Sequence, residues 1–255
     1  MGGTHHQVSG RPMKKHPWIL TSPGMIEVGE FVVLDPGEAR HVTGSLRRRV
    51  GDEIVLADGR GHIALARLTT VERGKVEAEI LAAHREPEPI SEGVTVALAM
   101  VGGQQMDWAV QKAVEVGVRR FVPLATERSQ LRKREGHGRM NHWQRVSRQA
   151  LKQCQRPWAM EIGQVVTLPE FVENHRAGGV VADRAGRAFD ELPDASGNAL
   201  VVGPEGGFSE IEGNIFDRNG WTRLRLGLHI LRSETAAIVG GAMMVAREGQ
   251  LRVDS

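Results

Sequence analysis

The sequence predicts an α/β protein with a parallel sheet from residue 89 onward and a small β domain before it. Three observations carry this reading. Val94–Val101 (VTVALAMV) is apolar without alternation, the pattern of a strand buried on both faces inside a parallel sheet. Further apolar stretches at Arg120–Leu124, Gly179–Ala182 and Ala199–Val202 are separated by helical or loop material. Before residue 88, short β-rich runs alternate with turn signals, which suggests a small barrel.

In the N-terminal part, Phe31, Val33, Ile54 and Leu56 mark short strands. Turns fall at Asp35-Pro36-Gly37, Val50-Gly51-Asp52 and Asp58-Gly59. Gly74 separates Ala64–Val71 from Val76–Ala82, which reads as a hairpin. His41 through Arg47 suits a short helix, and Arg47-Arg48-Arg49 adds a basic cluster. Asp58-Gly59-Arg60-Gly61-His62-Ile63-Ala64 contains a GxGxxA match. A dinucleotide site needs a helix after the glycines, and the residues after Gly61 are strand-like, so a turn is expected. Arg85-Glu86-Pro87-Glu88-Pro89 is charged and proline-bearing, the best place for a domain boundary. The expected organisation is a leader over 1–12, a β domain over 13–88 and an α/β domain over 89–255.

Met106, Ala109, Val110, Ala113 and Val114 share one face of a helix that Gly117 is placed to end. Near the C-terminus, two short strands, Ala199–Val202 and Leu224–Leu226, each run into a glycine-bearing bend and then a helix. The first bend is Gly203-Pro204-Glu205-Gly206-Gly207. The second runs from Gly227 to Arg232 and leads into Ser233-Glu234-Thr235-Ala236. Ser209 with Glu212 is a capping-box pattern, and Ser233 is placed to cap the last helix. Ligands of open α/β sheets bind where strands end in such bends, and helix N-termini there offer unpaired N–H groups. GPEGG also reads as a plain tight turn.

Composition narrows the class. The chain has 255 residues, 40% hydrophobic and 25% charged, as a soluble globular protein does. No apolar run approaches the roughly 18 residues of a membrane helix, and no signal-peptide core is present. Cys154 is the only cysteine, which excludes an intrachain disulfide and multi-cysteine zinc sites and suits a reducing cytoplasm. Residues 1–12 (MGGTHHQVSGRP) read as a flexible leader, with Met13 as a natural start. Net charge is only +2, yet Arg119–Arg156 holds eleven Lys or Arg against two acids, Glu127 and Glu135. Such a block suits a polyphosphate partner, or is a solvated basic face.

The two bends, GPEGG and ILRSETA in this order, resemble those of the SPOUT methyltransferases, the knotted S-adenosylmethionine enzymes. Within them the resemblance is to the uridine-N3 methyltransferases of 16S ribosomal RNA. Trp108, Gln111-Lys112, Glu115 and Gly117-Val118 match the first helix of that family. Pro123 and Thr126-Glu127-Arg128-Ser129 match the loop after it, and Trp143, Ala150, Gln153, Arg156 and Pro157 the next helix. In the N-terminal part His41, Leu46-Arg47, Gly51-Asp52 and Asp58-Gly59 match a looser pattern. The second bend departs from the family: Leu228 and His229 stand where a proline and an arginine are usual.

The resemblance implies a SPOUT-type parallel sheet with a trefoil knot and an N-terminal PUA-like, RNA-binding β-barrel. It implies S-adenosylmethionine held between the bends by Val202, Gly203, Pro204, Glu205, Gly206, Gly207, Leu226, Gly227, Ile230, Leu231, Arg232 and Ala236. Methyl transfer to uridine N3 needs the N3 proton removed and the uracil anion stabilised. Arg232 is the candidate for the anion, with Glu205 and Glu234 as base or as groups that orient Arg232. Glu234 also reads as a first-turn acid facing the helix dipole. Arg47, Arg48, Lys112, Arg128, Arg132, Lys133, Arg134 and Arg156 are the expected RNA contacts, although Lys112 with Glu115 equally suits a surface pair on an amphipathic helix. The expected partners are 16S ribosomal RNA or the small subunit and a second copy in a C2 homodimer, in which Arg128 could serve the partner's site. No metal and no membrane are expected. The competing expectations are another SPOUT reaction, such as ribose 2′-O-methylation of tRNA, and a non-catalytic RNA-binding ribosome-assembly factor.

Overall fold

The computed structural model describes residues 15–22, 24, 26–89, 93–176, 178–194 and 196–249. The leader expected over 1–12 and the start expected at Met13 lie outside them. Two compact units divide the chain. One runs to Glu88 and includes Lys152–Ala159; the other takes Pro89–Leu151 and the chain from Met160 onward.

The first unit contains β1 (Trp18–Leu20), β2 (Phe31–Val33), α1 (Pro36–Arg40), β3 (Glu53–Ala57), β4 (His62–Glu72) and β5 (Lys75–Arg85). The short helix expected over His41–Arg47 begins earlier, as α1, and only its continuation by one π-helical turn, His41–Ser45, falls in the expected range. The strands form one sheet of order β1-β3-β4-β5-β2, antiparallel except for the β1–β3 pair. The β4–β5 hairpin turns at Gly74, whose φ of +91° suits glycine. Register shifts within this hairpin, between Leu65 and Ala66 and between Leu68 and Thr70, mark bulges that bend the strands. All five strands and α1 contribute to one core that includes Ile19, Val32, Ala39, Ile54, Leu68 and Ile80. The residues expected to mark strands do so, with Phe31 and Val33 in β2 and Ile54 and Leu56 in β3, where the latter two are buried. Val32 faces the core, and Phe31 and Val33 are 63% and 56% exposed. The Asp58 carboxylate accepts from the N–H groups of Arg60 (2.7 Å) and His62 (3.1 Å), and the chain passes directly into β4. The Gly59–Gly61 segment is therefore a turn, as expected.

The second unit alternates strand and helix. Its elements are β6 (Thr95–Ala99), α2 (Gly103–Glu115), β7 (Arg120–Ala125), α3 (Lys133–Cys154), β8 (Glu161–Ile162), β9 (Val166–Thr167) and α4 (Leu168–Asn174), then β10 (Val180–Arg187), β11 (Ala199–Val202), α5 (Glu210–Arg218), β12 (Thr222–Leu224) and α6 (Ser233–Arg247). The sheet is parallel throughout, in the order β12-β10-β11-β6-β7-β8, with β9 also on β7. Every residue of β6 and β11 is buried, which explains their unbroken apolar runs. The buried residues of α2 are the five predicted, Met106, Ala109, Val110, Ala113 and Val114, and Gly117 comes after the helix with φ +96°.

The strand expected at Leu224–Leu226 lies earlier, at Thr222–Leu224. Thr222 bonds the Gly179 carbonyl and pairs with Val180 in the β10 ladder, while Trp221 is buried beside it. Leu226 thus lies beyond the strand. Helix α6 comes after the edge strand β12 yet packs on α2, β11 and β6. Gly240 and Gly241 permit this close approach. A Cβ on Gly240 would lie 2.6 Å from Leu200 and 3.1 Å from Leu226, and one on Gly241 would lie 3.2 Å from Val96 and Val118.

Candidate active site

A cavity of about 580 Å³ opens beyond the carboxyl ends of β10, β11 and β12, the usual place for ligands of a parallel sheet. Its walls are the two glycine bends, the start of α5 and of α6, and a charged cluster from β10, β12 and the end of α5. A second cavity of about 630 Å³, lined by Thr95, Arg119, Arg120, His175 and Asn198 among others, lies at the opposite strand ends.

The first bend is fixed by its neighbours. The Gly207 N–H donates to the Pro204 carbonyl (2.8 Å). Gly203 has no room for a side chain, since a Cβ would lie 2.9 Å from the Phe208 ring. Phe208 packs edge-on against Phe216 at 5.0 Å. Helix α5 opens with the predicted box: Ser209 Oγ accepts from the Glu212 N–H (3.2 Å), and Glu212 Oε2 accepts from the Ser209 N–H (3.0 Å). The second oxygen of Glu212 accepts from the N–H of Glu127 (2.9 Å), which the spacing did not announce. This brings the Thr126–Ser129 loop against the bend. There Arg128 Nη1 donates to the carbonyls of Gly206 (2.6 Å) and Phe208 (3.4 Å).

The second bend is looser and more exposed, with Leu228 and Ile230 93% and 72% accessible. Ser233, expected to cap α6, is instead its first residue and is buried. Arg232 occupies the N-cap with extended backbone (φ −65°, ψ 155°) and makes no side-chain cap. The first N–H groups of α6 therefore have no side-chain acceptor at the cap, beside the cavity residues Ser233 and Ala236.

The charged wall was missed from sequence. Arg223 Nη1 donates to Asp183 Oδ2 (2.6 Å), and its Nη2 donates to Asp217 Oδ1 (2.9 Å) and Oδ2 (3.1 Å). Burial pushes the Asp183 carboxyl up, but the Ala185 N–H and the Arg223 guanidinium outweigh this and hold it below its ordinary value. Asp217 first, then Asp183, raise the Arg223 guanidinium further. These residues lie 6 and 40 positions from Arg223, with no motif to join them.

Of the predicted cofactor residues, Val202, Gly203, Pro204, Glu205, Gly207, Leu226, Gly227, Ile230, Leu231 and Ala236 line this one cavity. Gly206 and Arg232 stand outside its lining, although each lies next to residues within it. Of the catalytic candidates, only Glu205 lines the cavity. Arg232 is exposed between Leu231 and Ser233, and Glu234 is 6% exposed in the first turn of α6. The RNA candidates are scattered. Lys112 pairs with Glu115 (2.7 Å) and Lys133 with Glu170 (2.8 Å). Lys133 and the Thr167 N–H hold the Glu170 carboxyl down to about 2. Arg132 and Arg134 are exposed. Arg47, Arg48 and Arg156 belong to the first unit.

Two family patterns match this chain: an RNA methyltransferase domain over residues 87–245 and an RNA methyltransferase PUA domain over residues 34–81. Ribosomal RNA small subunit methyltransferase E of Mycobacterium bovis is 30% identical over 225 residues, 84% of this chain and 85% of that protein. The enzyme of the same name from Aquifex aeolicus is 29% identical over 213 residues, 82% and 92% of the two chains. Among solved structures, the one from Neisseria gonorrhoeae, bound to S-adenosyl methionine, superposes with a TM-score of 0.82 at 28% identity, covering 91% of this chain and 98% of that one. With the parallel sheet, the cavity at its carboxyl edge and both patterns in sequence order, the chain belongs to the RNA methyltransferase family of the ribosomal RNA small subunit methyltransferases E.

Proposed function

We propose that this chain is an S-adenosylmethionine-dependent methyltransferase that modifies N3 of a uridine in 16S ribosomal RNA. The observation that carries the reading is that two sequence-distant glycine bends wall one cavity at the carboxyl edge of the sheet. Its volume of about 580 Å³ suits a cofactor-sized ligand, since such sites span roughly 300–1,000 Å³. The lining fits the donor. Val202, Leu226, Ile230 and Ala236 offer apolar surface for adenine, and the backbone of Gly203, Leu226 and Ile230 offers hydrogen-bonding groups. Asp183, held below its ordinary value by the Ala185 N–H and the Arg223 guanidinium, places negative charge in the wall of a site for a sulfonium cation.

When bound, S-adenosylmethionine supplies an electrophilic methyl group and leaves as a thioether. The protein must hold the uridine in line and free a lone pair on N3. Glu205 is the base in this reading, because it alone of the two acids faces the cavity. Arg232, exposed at the head of α6, offsets the charge left on the uracil ring. Glu234 acts through the α6 N-terminus rather than on the base. A target uridine has to be unstacked to reach such a site. Arg132 and Arg134 hold RNA phosphates in the methyltransferase unit, and Arg47 does so in the PUA unit.

The proposed assembly is a C2 homodimer through the methyltransferase unit, where Trp108, Ile211, Leu228 and Ile230 leave large apolar side chains exposed. A trefoil knot is proposed as well: α6 leaves an edge strand and packs over the middle of the sheet. Among the described residues no helix is long and apolar enough to cross a membrane.

The test is nucleoside mass analysis of 16S ribosomal RNA from cells with and without the gene, together with reaction of the purified protein with the unmodified subunit. Base-methylated uridine that depends on the gene is expected. Ribose methylation, or RNA binding without donor binding in calorimetry, would sink the proposal.

A further inference from the structure

The Glu212 side chain does more than cap a helix. It is 5% exposed, and its two oxygens accept from different segments, Ser209 N–H at the start of α5 and Glu127 N–H in the loop after β7. A capping box needs only the first. The second bond joins residues 85 positions apart. Beside it, Arg128 lays its stem along the first bend, with Cδ 3.5 Å from where a Gly206 Cβ would stand, and its guanidinium bonds the Gly206 and Phe208 carbonyls. The Thr126–Ser129 loop is itself closed, Ser129 Oγ accepting from the Thr126 N–H at 3.0 Å. The junction therefore has two adjacent ties, each needed to hold the bend. The loop gives an N–H and a guanidinium; the bend and α5 give two carbonyls and a buried carboxylate.

We propose that Glu212 is a positioning residue for methyl transfer. Its carboxylate locks the Arg128 loop onto the glycine bend, so that Arg128 holds the bend in the shape that receives the donor. This rests on the reading of the cavity as the S-adenosylmethionine site. The flanking residues Glu205 and Gly207 line that cavity while Gly206 turns its carbonyl to Arg128. The bend is thus gripped from behind, and its front is left to the ligand.

Charge-assisted bonds of this kind are the strong ones, and two ties on one junction are expected to be non-additive. The experiment is calorimetry of S-adenosylmethionine binding to the full-length protein carrying Glu212→Gln, Arg128→Ala or both. Each single change is expected to weaken binding about tenfold, and the pair also about tenfold, because either one frees the same bend. Arg128→Lys is expected to regain part of the loss, since one ammonium can reach one carbonyl. Thr167→Ala, which removes a similar box from α4, should lower the melting temperature comparably with donor affinity within about twofold of wild type. A hundredfold loss in the double variant, wild-type affinity in Glu212→Gln, or equal weakening by Thr167→Ala would overturn the proposal. If Glu212→Gln does not fold, Arg128→Ala and Arg128→Lys read the same junction, and wild-type affinity in Arg128→Ala overturns it. Failure of the wild-type protein to bind the donor would instead refute the function proposed for the cavity.

Discussion

The two glycine bends wall the same cavity but are built differently. The first is held from every side: Phe208 fills the space over Gly203, Pro204 accepts from Gly207, and Arg128 and Glu212 tie it to the loop after β7. The second has little of this. A Cβ on Gly227 would meet nothing within 4 Å, its φ is not positive, and Leu228 and Ile230 point largely into solvent. The fold demands glycine in the first bend and does not demand it in the second. Packing thus accounts for one motif, and for the other it leaves a ligand, a partner subunit or RNA as the reason for the residue. The first bend is a preformed wall; the second is expected to be completed on binding.

The sharpest way to break this contrast is Arg232→Ala. Arg232 is exposed and makes no cap, so the change is expected to leave the melting temperature within about 1 °C of wild type, as at other surface sites. Loss of a charge that stabilises the uracil anion is expected to reduce methylation by roughly a hundred- to a thousandfold. Single-turnover assays on unmodified subunits decide it. A large loss of stability with ordinary turnover would make the second bend structural after all.

The next test exchanges the glycines. Gly203→Ala drives a methyl group into the Phe208 ring and is expected to cost about 1–3 kcal/mol in denaturant unfolding. Gly227→Ala is expected to leave stability within about 0.5 kcal/mol and to show its effect in donor affinity alone, about tenfold, if backbone must approach the ligand closely there.

Sequence reasoning reached the two bends unequally for the same physical reason. Local patterns were legible: the five buried positions of α2, the Ser209–Glu212 box and the buried runs of β6 and β11 are set by periodicity and capping within one segment. What depended on the partner strand was misjudged. The last strand was expected at Leu224–Leu226, but pairing with β10 places it at Thr222–Leu224 and leaves Leu226 to pack against α6. In β2 the strand stands where Phe31 and Val33 mark it, but which face is buried depends on its partner β5, and Val32 takes the core. Arg223 with Asp183 and Asp217, and Glu212 with Glu127, were invisible because nothing local links them. Ser233 looked like a cap by type, but the helix begins at it, so its hydroxyl is one position too late.

The charged wall gives a smaller test through pH. Asp183 is depressed below its ordinary value of 3.8 in the folded protein. A depressed carboxyl stabilises the fold above the unfolded value and loses that contribution as pH falls through the folded one. The wild-type protein is therefore expected to hold this contribution in full above pH 3.8 and to lose it progressively as pH falls below that value. Replacing Arg223 by Met leaves burial opposed only by the Ala185 N–H, so Asp183 lies nearer its ordinary value; the variant is expected to be less stable than wild type at neutral pH and to lose less stability on acidification. Melting curves from about pH 7 down to about pH 3 read the difference. An unchanged acid limb would mean that the Ala185 N–H alone holds the carboxylate, and that the wall is less a unit than its distances suggest.

The smallest expected effect concerns Leu228 and His229, which stand where the family resemblance implies a proline and an arginine. Leu228 is 93% exposed and packs on little, so its side chain offers no reason for the departure. Leu228→Pro would narrow the conformations open to the free bend, an effect worth about 0.4–1 kcal/mol where the backbone accommodates the ring. That corresponds to roughly two- to fivefold tighter donor binding if the bend orders on binding. His229 lines the cavity, and His229→Arg would add a permanent charge there, which should favour an anionic RNA partner more than a sulfonium donor. Binding of donor and of a 16S fragment, measured separately for the two variants, is thus expected to divide: proline sharpens the first, arginine the second. If proline leaves donor affinity unchanged, the second bend is already ordered in the free protein, and the contrast between the two walls lies in their exposure alone.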